Sequence, residues 1–150
     1  MQHTLPNGII RHQDSDRKTD YLYRVSLKAL IRDSNGKILV VREKGTTWWD
    51  LPGGGIDHNE SVQEALAREM KEEVGYSGEF SYRVITVDEK ADYIDVANAW
   101  QIRLVFEVKT NNMNFSPGDD GEEVQFIDPE ILRGTKHDAE ARIITYAHLL

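Results

Sequence analysis

The strongest constraint in this sequence is a helix whose two ends are marked by their residues and whose inner side carries acid. Ser61 is a good N-cap, and Glu64 three residues later completes a capping box. Gly75 stands where a helix C-cap glycine belongs. On a wheel of about 100° per residue, Val62, Ala65, Leu66 and Met70 form an apolar stripe. Glu69 and Glu73 fall inside that arc, at about 340° and about 20° with Val62 at zero. Glu72 sits at its edge, while Glu64, Arg68 and Lys71 take the solvent side. An ionised carboxylate removed from water must be paired, bind a metal or take up a proton. Glu69, Glu72 and Glu73, spaced i, i+3, i+4, bring three such groups to one patch. A hard divalent cation such as Mg²⁺ relieves that conflict. The competing reading is an acidic helix with ordinary surface glutamates, and the helix alone does not decide between them.

Around this helix the pattern is that of an α+β domain with a mixed sheet and two main helices. Val25, Leu27, Ala29 and Ile31 alternate along one strand face. Asn35-Gly36 is a strong hairpin signal, and Ile38 to Val41 reads as the returning strand, buried on both faces. A loop containing Trp48-Trp49 and three consecutive glycines, Gly53 to Gly55, leads into the helix. Ser81 to Val87 looks like a strand, followed by an acidic stretch from Asp88 to Asp95. Ala99 to Lys109 alternates cleanly, as a central strand with one polar face would. A polar loop from Asn111 to Gly121 precedes a short strand from Val124 to Ile127. A helical turn from Pro129 to Leu132 and an amphipathic helix from Asp138 to Leu149 complete the chain. The first twenty residues show no convincing period and are expected to form a loose lead-in, with residues 21–150 as one domain.

Composition narrows the setting. The 150 residues include no cysteine, which excludes disulfides, thiolate metal sites and cysteine nucleophiles. No apolar run approaches the roughly 20 residues that cross a bilayer, and the first residues resemble neither a signal nor a transit peptide. A reducing cytoplasm is therefore the expected location. The formal net charge of −8 disfavours nonspecific binding of nucleic acid. It still permits a small anionic substrate where a metal or local positive charge is present.

The segment Gly54 to Tyr76, GGIDHNESVQEALAREMKEEVGY, resembles the Nudix box of the MutT-like hydrolases. Gly54, Glu60, Arg68, Glu69, Glu72, Glu73 and Gly75 occupy every fixed position, and Met70 fills the apolar slot. The one departure is Tyr76, where an aliphatic residue is usual, at a structural position. The Leu51-Pro52-Gly53-Gly54 lead-in is also typical. The resemblance implies an α/β/α sandwich and a Mg²⁺-dependent enzyme, with Mn²⁺ as the alternative ion. Glu69, Glu72 and Glu73 would bind the metal, with a backbone carbonyl at Gly54 as a further ligand. Arg68 would orient them by folding back along the helix, and Glu60 would support the loop. Gly53 and Gly55 would let the backbone approach the substrate closely. The reaction implied is hydrolysis of a pyrophosphate bond, in which metal neutralises phosphate charge and activates water. The general base would be Glu72 or a later loop acid, with Asp120 ahead of Glu122 and Glu123.

Substrate choice in this family lies outside the box. A proline some fifteen residues beyond it, frequent in enzymes acting on ADP-ribose, is absent. Tyr93, seventeen residues beyond Tyr76, matches a habit of dinucleoside polyphosphate hydrolases. Arg24, Arg42 and Arg103 are candidates for phosphate contact and equally plausible strand-surface residues. Trp48 and Trp49 are candidates for stacking on a base or for the core. The expected substrate is a nucleoside triphosphate, a dinucleoside polyphosphate or a nucleotide sugar. Two alternatives are removal of pyrophosphate from an RNA 5′ end and a non-catalytic nucleotide-binding domain; the charge counts against the first and the complete box against the second. The isopentenyl isomerase branch of the fold is disfavoured by the intact box and the lack of cysteine. Homodimers are common among such proteins, but no residue pattern marks an interface.

Overall fold

A computed structural model describes residues 2–5, 8–13, 16, 19–94 and 99–149. Three short strands come first: β1 (Gln2–Leu5), β2 (Ile9–His12) and β3 (Thr19–Tyr21), joined in an antiparallel sheet of their own. Within the lead-in expected over residues 1–20, the described residues include these short strands. These strands are only three or four residues long, too short for an alternation to reveal them in the sequence.

The main sheet contains β4 (Tyr23–Leu30), β6 (Gly53–Gly55), β7 (Phe80–Ile94) and β8 (Ala99–Thr110), in the order β6-β4-β8-β7. It is mixed, since β4 runs parallel to β8 and antiparallel to β6, while β7 and β8 are antiparallel. A second, two-stranded sheet pairs β5 (Ile38–Glu43) with β9 (Gly121–Ile127). The turn at Asn35-Gly36 forms as expected, with Gly36 at φ 78 and Asp33 capping it through its carboxylate. The hairpin does not continue as a ladder. Only an Arg32–Ile38 bridge joins its arms, because β4 pairs with β6 and β8 while β5 pairs with β9. The acidic stretch after Val87 likewise belongs to β7, which runs through to Ile94, with irregular pairing between Asp88 and Asp92.

Strand alternation divides the interior into two cores. Leu27 and Ala29 of β4, and Ile31 just beyond it, face helix α1 (Val62–Val74) together with Leu39, Val41, Phe106 and Val108. Their neighbours Leu30, Ile38, Val40 and Val105 face the other way, against helix α2 (Asp138–Ala147) and the short 3-10 helix Pro129–Leu132. Successive side chains in a strand point to opposite faces, so strands covered on both sides must be apolar at nearly every position. Ile38 to Val41 shows this directly, with all four residues fully buried. The face of β8 expected to be polar is also covered: Arg103 is buried there, near Asp88, whose carboxylate accepts a hydrogen bond from the Tyr146 hydroxyl. The result is the α/β/α sandwich expected.

The start and end of α1 are built as its sequence indicates. The Ser61 side chain accepts from the Glu64 N–H at 3.1 Å, and Glu64 accepts from the Ser61 N–H at 3.1 Å. Gly75 takes the left-handed conformation at the C-cap. Beyond it, the polar loop folds back onto the helix end. Its Ser116, Gly118 and Asp120 N–H groups donate to the carbonyls of Val74, Glu73 and Glu72. These carbonyls have no partner within the helix, so the loop completes the helix terminus and is itself positioned by it. A Cβ at Gly118 would lie 2.4 Å from the Glu72 carbonyl oxygen. Gly118→Ala is therefore expected to lower stability by about 1–3 kcal/mol, read as a shift in urea midpoint; an unchanged midpoint would mean that the loop does not dock in this way.

Candidate active site

Three elements meet where the glycine run passes α1. Strand β6 is the edge of the main sheet, so the backbone groups on its outer side have no strand partner. The helix supplies those partners. The Gly53 N–H donates to both carboxylate oxygens of Glu73, at 3.3 and 3.4 Å, and the Gly55 carbonyl accepts from Arg68 at 3.0 Å. Glycine is required for this fit. Gly53 has φ 145 and a Cβ there would stand 1.9 Å from the Leu27 carbonyl oxygen, while one at Gly54 would stand 2.5 Å from the Glu69 carboxylate.

Arg68 is the organiser. Its guanidinium donates to Glu60 at 2.7 and 2.9 Å, to Glu69 at 2.9 Å and to Glu72 at 3.3 Å, besides Gly55. The helical wheel places it on the solvent side, but the long side chain folds back along the helix and is only partly exposed. Glu60 also accepts the Asp57 N–H, and these bonds hold its carboxyl down at about 2. The Arg68 guanidinium is in turn held more firmly protonated by Glu60.

A cavity of about 380 Å³ opens beside this cluster, lined by Glu43, Lys44, Gly53, Gly54, Glu69, Glu72, Glu73 and Asp120. Glu73 is the most buried acid in it, 2% exposed, and Glu69 is 8% exposed. Burial pushes the Glu73 carboxyl far above its ordinary range; Lys28 pulls it back, and Glu43 and Glu69 push it further up. Glu43 is raised by the same cause and pulled back by Lys28. Lys28 is itself buried and donates to the Asp50 carboxylate at 2.9 Å. Among the described residues no three acidic or histidine side chains stand in a metal-chelating arrangement, since Glu69 and Glu72 are turned onto Arg68. The donor set nevertheless fits a hard divalent cation: it offers oxygen only, is crowded with acid, and contains a carboxyl whose charge is disfavoured by burial and by the neighbouring acids.

Not every residue singled out in the sequence reaches this cavity. Asp120 lines it, whereas Glu122 and Glu123 are exposed elsewhere, Glu123 accepting from Arg42 at 2.6 Å. Arg42 does not line the cavity and lies over the Trp49 ring, 6.0 Å from its centroid. Arg103 is buried on the α2 side of the sheet, away from the glycines. Tyr93 pairs with Trp100 along β7, and its side chain lies outside the described residues. Trp49 packs against the second core, and Trp48 stacks on His137 at 4.2 Å. Glu43 and Lys44 were not singled out in the sequence. Their signal was faint: polar residues directly after a fully apolar strand, at the mouth of the loop that returns as the glycine run.

A family model described as the NUDIX domain matches residues 22–147, and the chain belongs to that family. Over 63 residues it is 36% identical to a Bacillus subtilis protein named "Putative 8-oxo-dGTP diphosphatase", covering 42% of each chain. Over 55 residues it is 42% identical to an RNA pyrophosphohydrolase of Pasteurella multocida, covering 37% of this chain and 28% of that one. The matches thus span less than half the length of these relatives. In fold it is similar to a MutT protein from Methanosarcina mazei, with TM-score 0.64 and 23% identity over 85% of this chain and 96% of that one.

The acid buried at Glu73 has a consequence for stability. A carboxyl raised above its ordinary value of 4.5 supports the fold fully below that pH, and the support is lost as pH climbs through the raised value. In the presence of a chelator, the wild-type urea midpoint is expected to fall between pH 6 and 9. That of Glu73→Gln, which cannot ionise, should fall less; equal slopes would show that Glu73 is not the buried acid responsible.

Proposed function

We propose that this chain is a divalent-metal-dependent pyrophosphohydrolase acting on a nucleoside diphosphate linked to a further group. The observation that carries the reading is Glu73, an acid buried against the Gly53 N–H among the further carboxylates Glu43 and Glu69, in a cavity with Glu72 and Asp120 on its wall. Such a cluster is costly without a cation and well suited to one. Glu69, Glu72 and Glu73 would hold Mg²⁺, or Mn²⁺ in its place, with the Gly54 carbonyl as a further donor. When bound, the cation supplies charge neutralisation for the pyrophosphate and lowers the pKa of water.

The chain's own groups do the rest. Arg68, braced by Glu60, holds the Glu69 and Glu72 carboxylates beside the cavity by hydrogen bonds, from which a cation would draw them. Gly53 and Gly55, without side chains, let the phosphates lie against backbone. Asp120 is exposed in the cavity and has no ion pair among the described residues, which supports it as the acid that would take the proton of the attacking water; Glu72 is the other candidate. Lys44 offers the cavity a positive charge for phosphate. Arg42 and Tyr93 would contact the substrate only from beyond this cavity.

The named activities of the two relatives support a pyrophosphate bond as the target, in a nucleoside triphosphate or at an RNA 5′ end. The net charge of −8 favours the small nucleotide. No helix of the described residues is long and apolar enough to cross a membrane. A cytoplasmic nucleotide pool is the proposed setting, as the place where such substrates are held. The test is a panel of nucleoside triphosphates, dinucleoside polyphosphates, nucleotide sugars, ADP-ribose and triphosphorylated RNA, assayed for phosphate or pyrophosphate release with Mg²⁺ and with chelator. Cleavage is expected with metal only, and Glu73→Gln should lower kcat by roughly 100-fold or more. Cleavage that survives chelation, or is untouched by the substitution, would refute the reading. A second variant, Asp120→Asn, should lower kcat by roughly 10²–10⁴-fold at unchanged metal affinity, as the loss of a general base does.

A further inference from the structure

Strand β5 carries an acid where its pattern calls for core. Leu39 and Val41 are fully buried in the core beneath α1, and strand alternation puts Glu43 next on that same face. Arg42, between them, points the other way and lies over the Trp49 ring. The stripe that packs against α1 thus ends in a carboxylate, partly buried, at the wall of the cavity that Glu69, Glu72 and Glu73 share.

Backbone contacts fix this placement. Glu43 pairs with Gly121 across the β5–β9 ladder, and the following Lys44 N–H donates to the Asp120 carbonyl at 3.0 Å. Gly121 in turn lies against the helix: a Cβ there would stand 2.2 Å from the Glu73 carbonyl oxygen. A residue without a side chain therefore lets the end of β5 come up to α1 beside Glu73. No attraction between side chains draws Glu43 there, since it has no ion pair among the described residues.

The cations near the site are committed elsewhere. Arg68 holds Glu69 at 2.9 Å and Glu72 at 3.3 Å, but none of its bonds reaches Glu43 or Glu73. Lys28, whose charge acts on both of those acids, is itself paired with Asp50 at 2.9 Å. Glu73 is 2% exposed and, like Glu43, has no ion pair among the described residues. Two carboxylates brought together away from water, without a counter-ion of their own, are costly unless a cation joins them.

We propose that Glu43 is a further carboxylate ligand of the divalent cation, supplied from β5 and facing the glutamates of α1. The ion would then be gripped from two sides and would tie the end of the strand to the helix. This rests on the metal-dependent reading above, and the two can fail separately.

The test binds Mn²⁺ to the full chain without substrate and compares wild type with Glu43→Gln, which keeps the shape and removes the charge. Titration followed by paramagnetic resonance should show binding weakened about ten- to a hundredfold. Glu123→Gln, the same change of charge on the neighbouring strand outside the cavity, should stay within about twofold of wild type. A second readout separates a ligand from a distant charge. The luminescence decay of bound Eu³⁺ in H₂O and D₂O counts coordinated waters, and Glu43→Gln should gain about one where the carboxylate has left. In chelator, the urea midpoint of Glu43→Gln should lie above that of wild type, because the repulsion is gone; added Mn²⁺ should then raise it less. An Mn²⁺ affinity within twofold of wild type, or an unchanged water count, would overturn the proposal while leaving hydrolysis standing. No Mn²⁺ bound by wild type would also overturn it, with the cleavage panel deciding the hydrolase reading by itself. Metal binding that depends on Glu43, with no substrate cleaved, would instead sink the hydrolase reading and keep the ligand.

Discussion

The guanidinium of Arg68 ties this molecule's sequence motif into a site. One side chain joins the loop acid Glu60, the helix acids Glu69 and Glu72, and the Gly55 carbonyl at the sheet edge. A planar fork with five donors can make this set of bonds, and lysine, a point charge with three donors, cannot reproduce it. Without it, like-charged carboxylates on one helix face would repel one another and the edge carbonyl of Gly55 would lose its partner. The interaction therefore sets the distance between α1 and β6, and with it the shape of the cavity between them.

That cavity depends equally on a bare edge strand. Edge strands are usually blunted by charge, bulges or a covering loop. Here the edge is three glycines, and its outward groups are satisfied by Glu73 and Arg68 instead of by another strand. The absence of side chains admits Glu69 on one face and Arg24 on the other. The same helix is closed at its far end by the loop carrying Asp120, whose N–H groups satisfy the helix carbonyls. Helix, edge and loop thus share their unpaired backbone groups, and the acids they carry meet as a consequence.

Burial within this arrangement works against the acids that define it. Glu73 and Glu43 are shielded from water beside one another, and Lys28, paired with Asp50 behind them, offsets only part of their repulsion. A fold optimised for stability alone would place apolar side chains there. Retaining acid at that position is what the proposed cation site would require.

How much of this was legible varied with the range of the interaction concerned. The ends of α1 were plain at Ser61, Glu64 and Gly75, because capping is local and side chains alone decide it. The two-sided burial of Ile38 to Val41 was equally plain from an unbroken apolar run. The split of the hairpin at Asn35-Gly36 was not, because the turn dictates only local geometry and the partners of its arms in β8 and β9 lie 77 to 89 residues away. Nor was the N-terminal sheet, whose strands of three or four residues are too short to display a period. The sequence by itself determined the family, the helix and the identity of its acids, since spacing along one helix places them on one face whatever surrounds it. Only the tertiary structure decided that Glu43 and Asp120 join them and that Arg42 and Arg103 do not. Those choices depend on which strands pair and which loop docks on a helix end, and such pairings are settled by packing between distant parts of the chain.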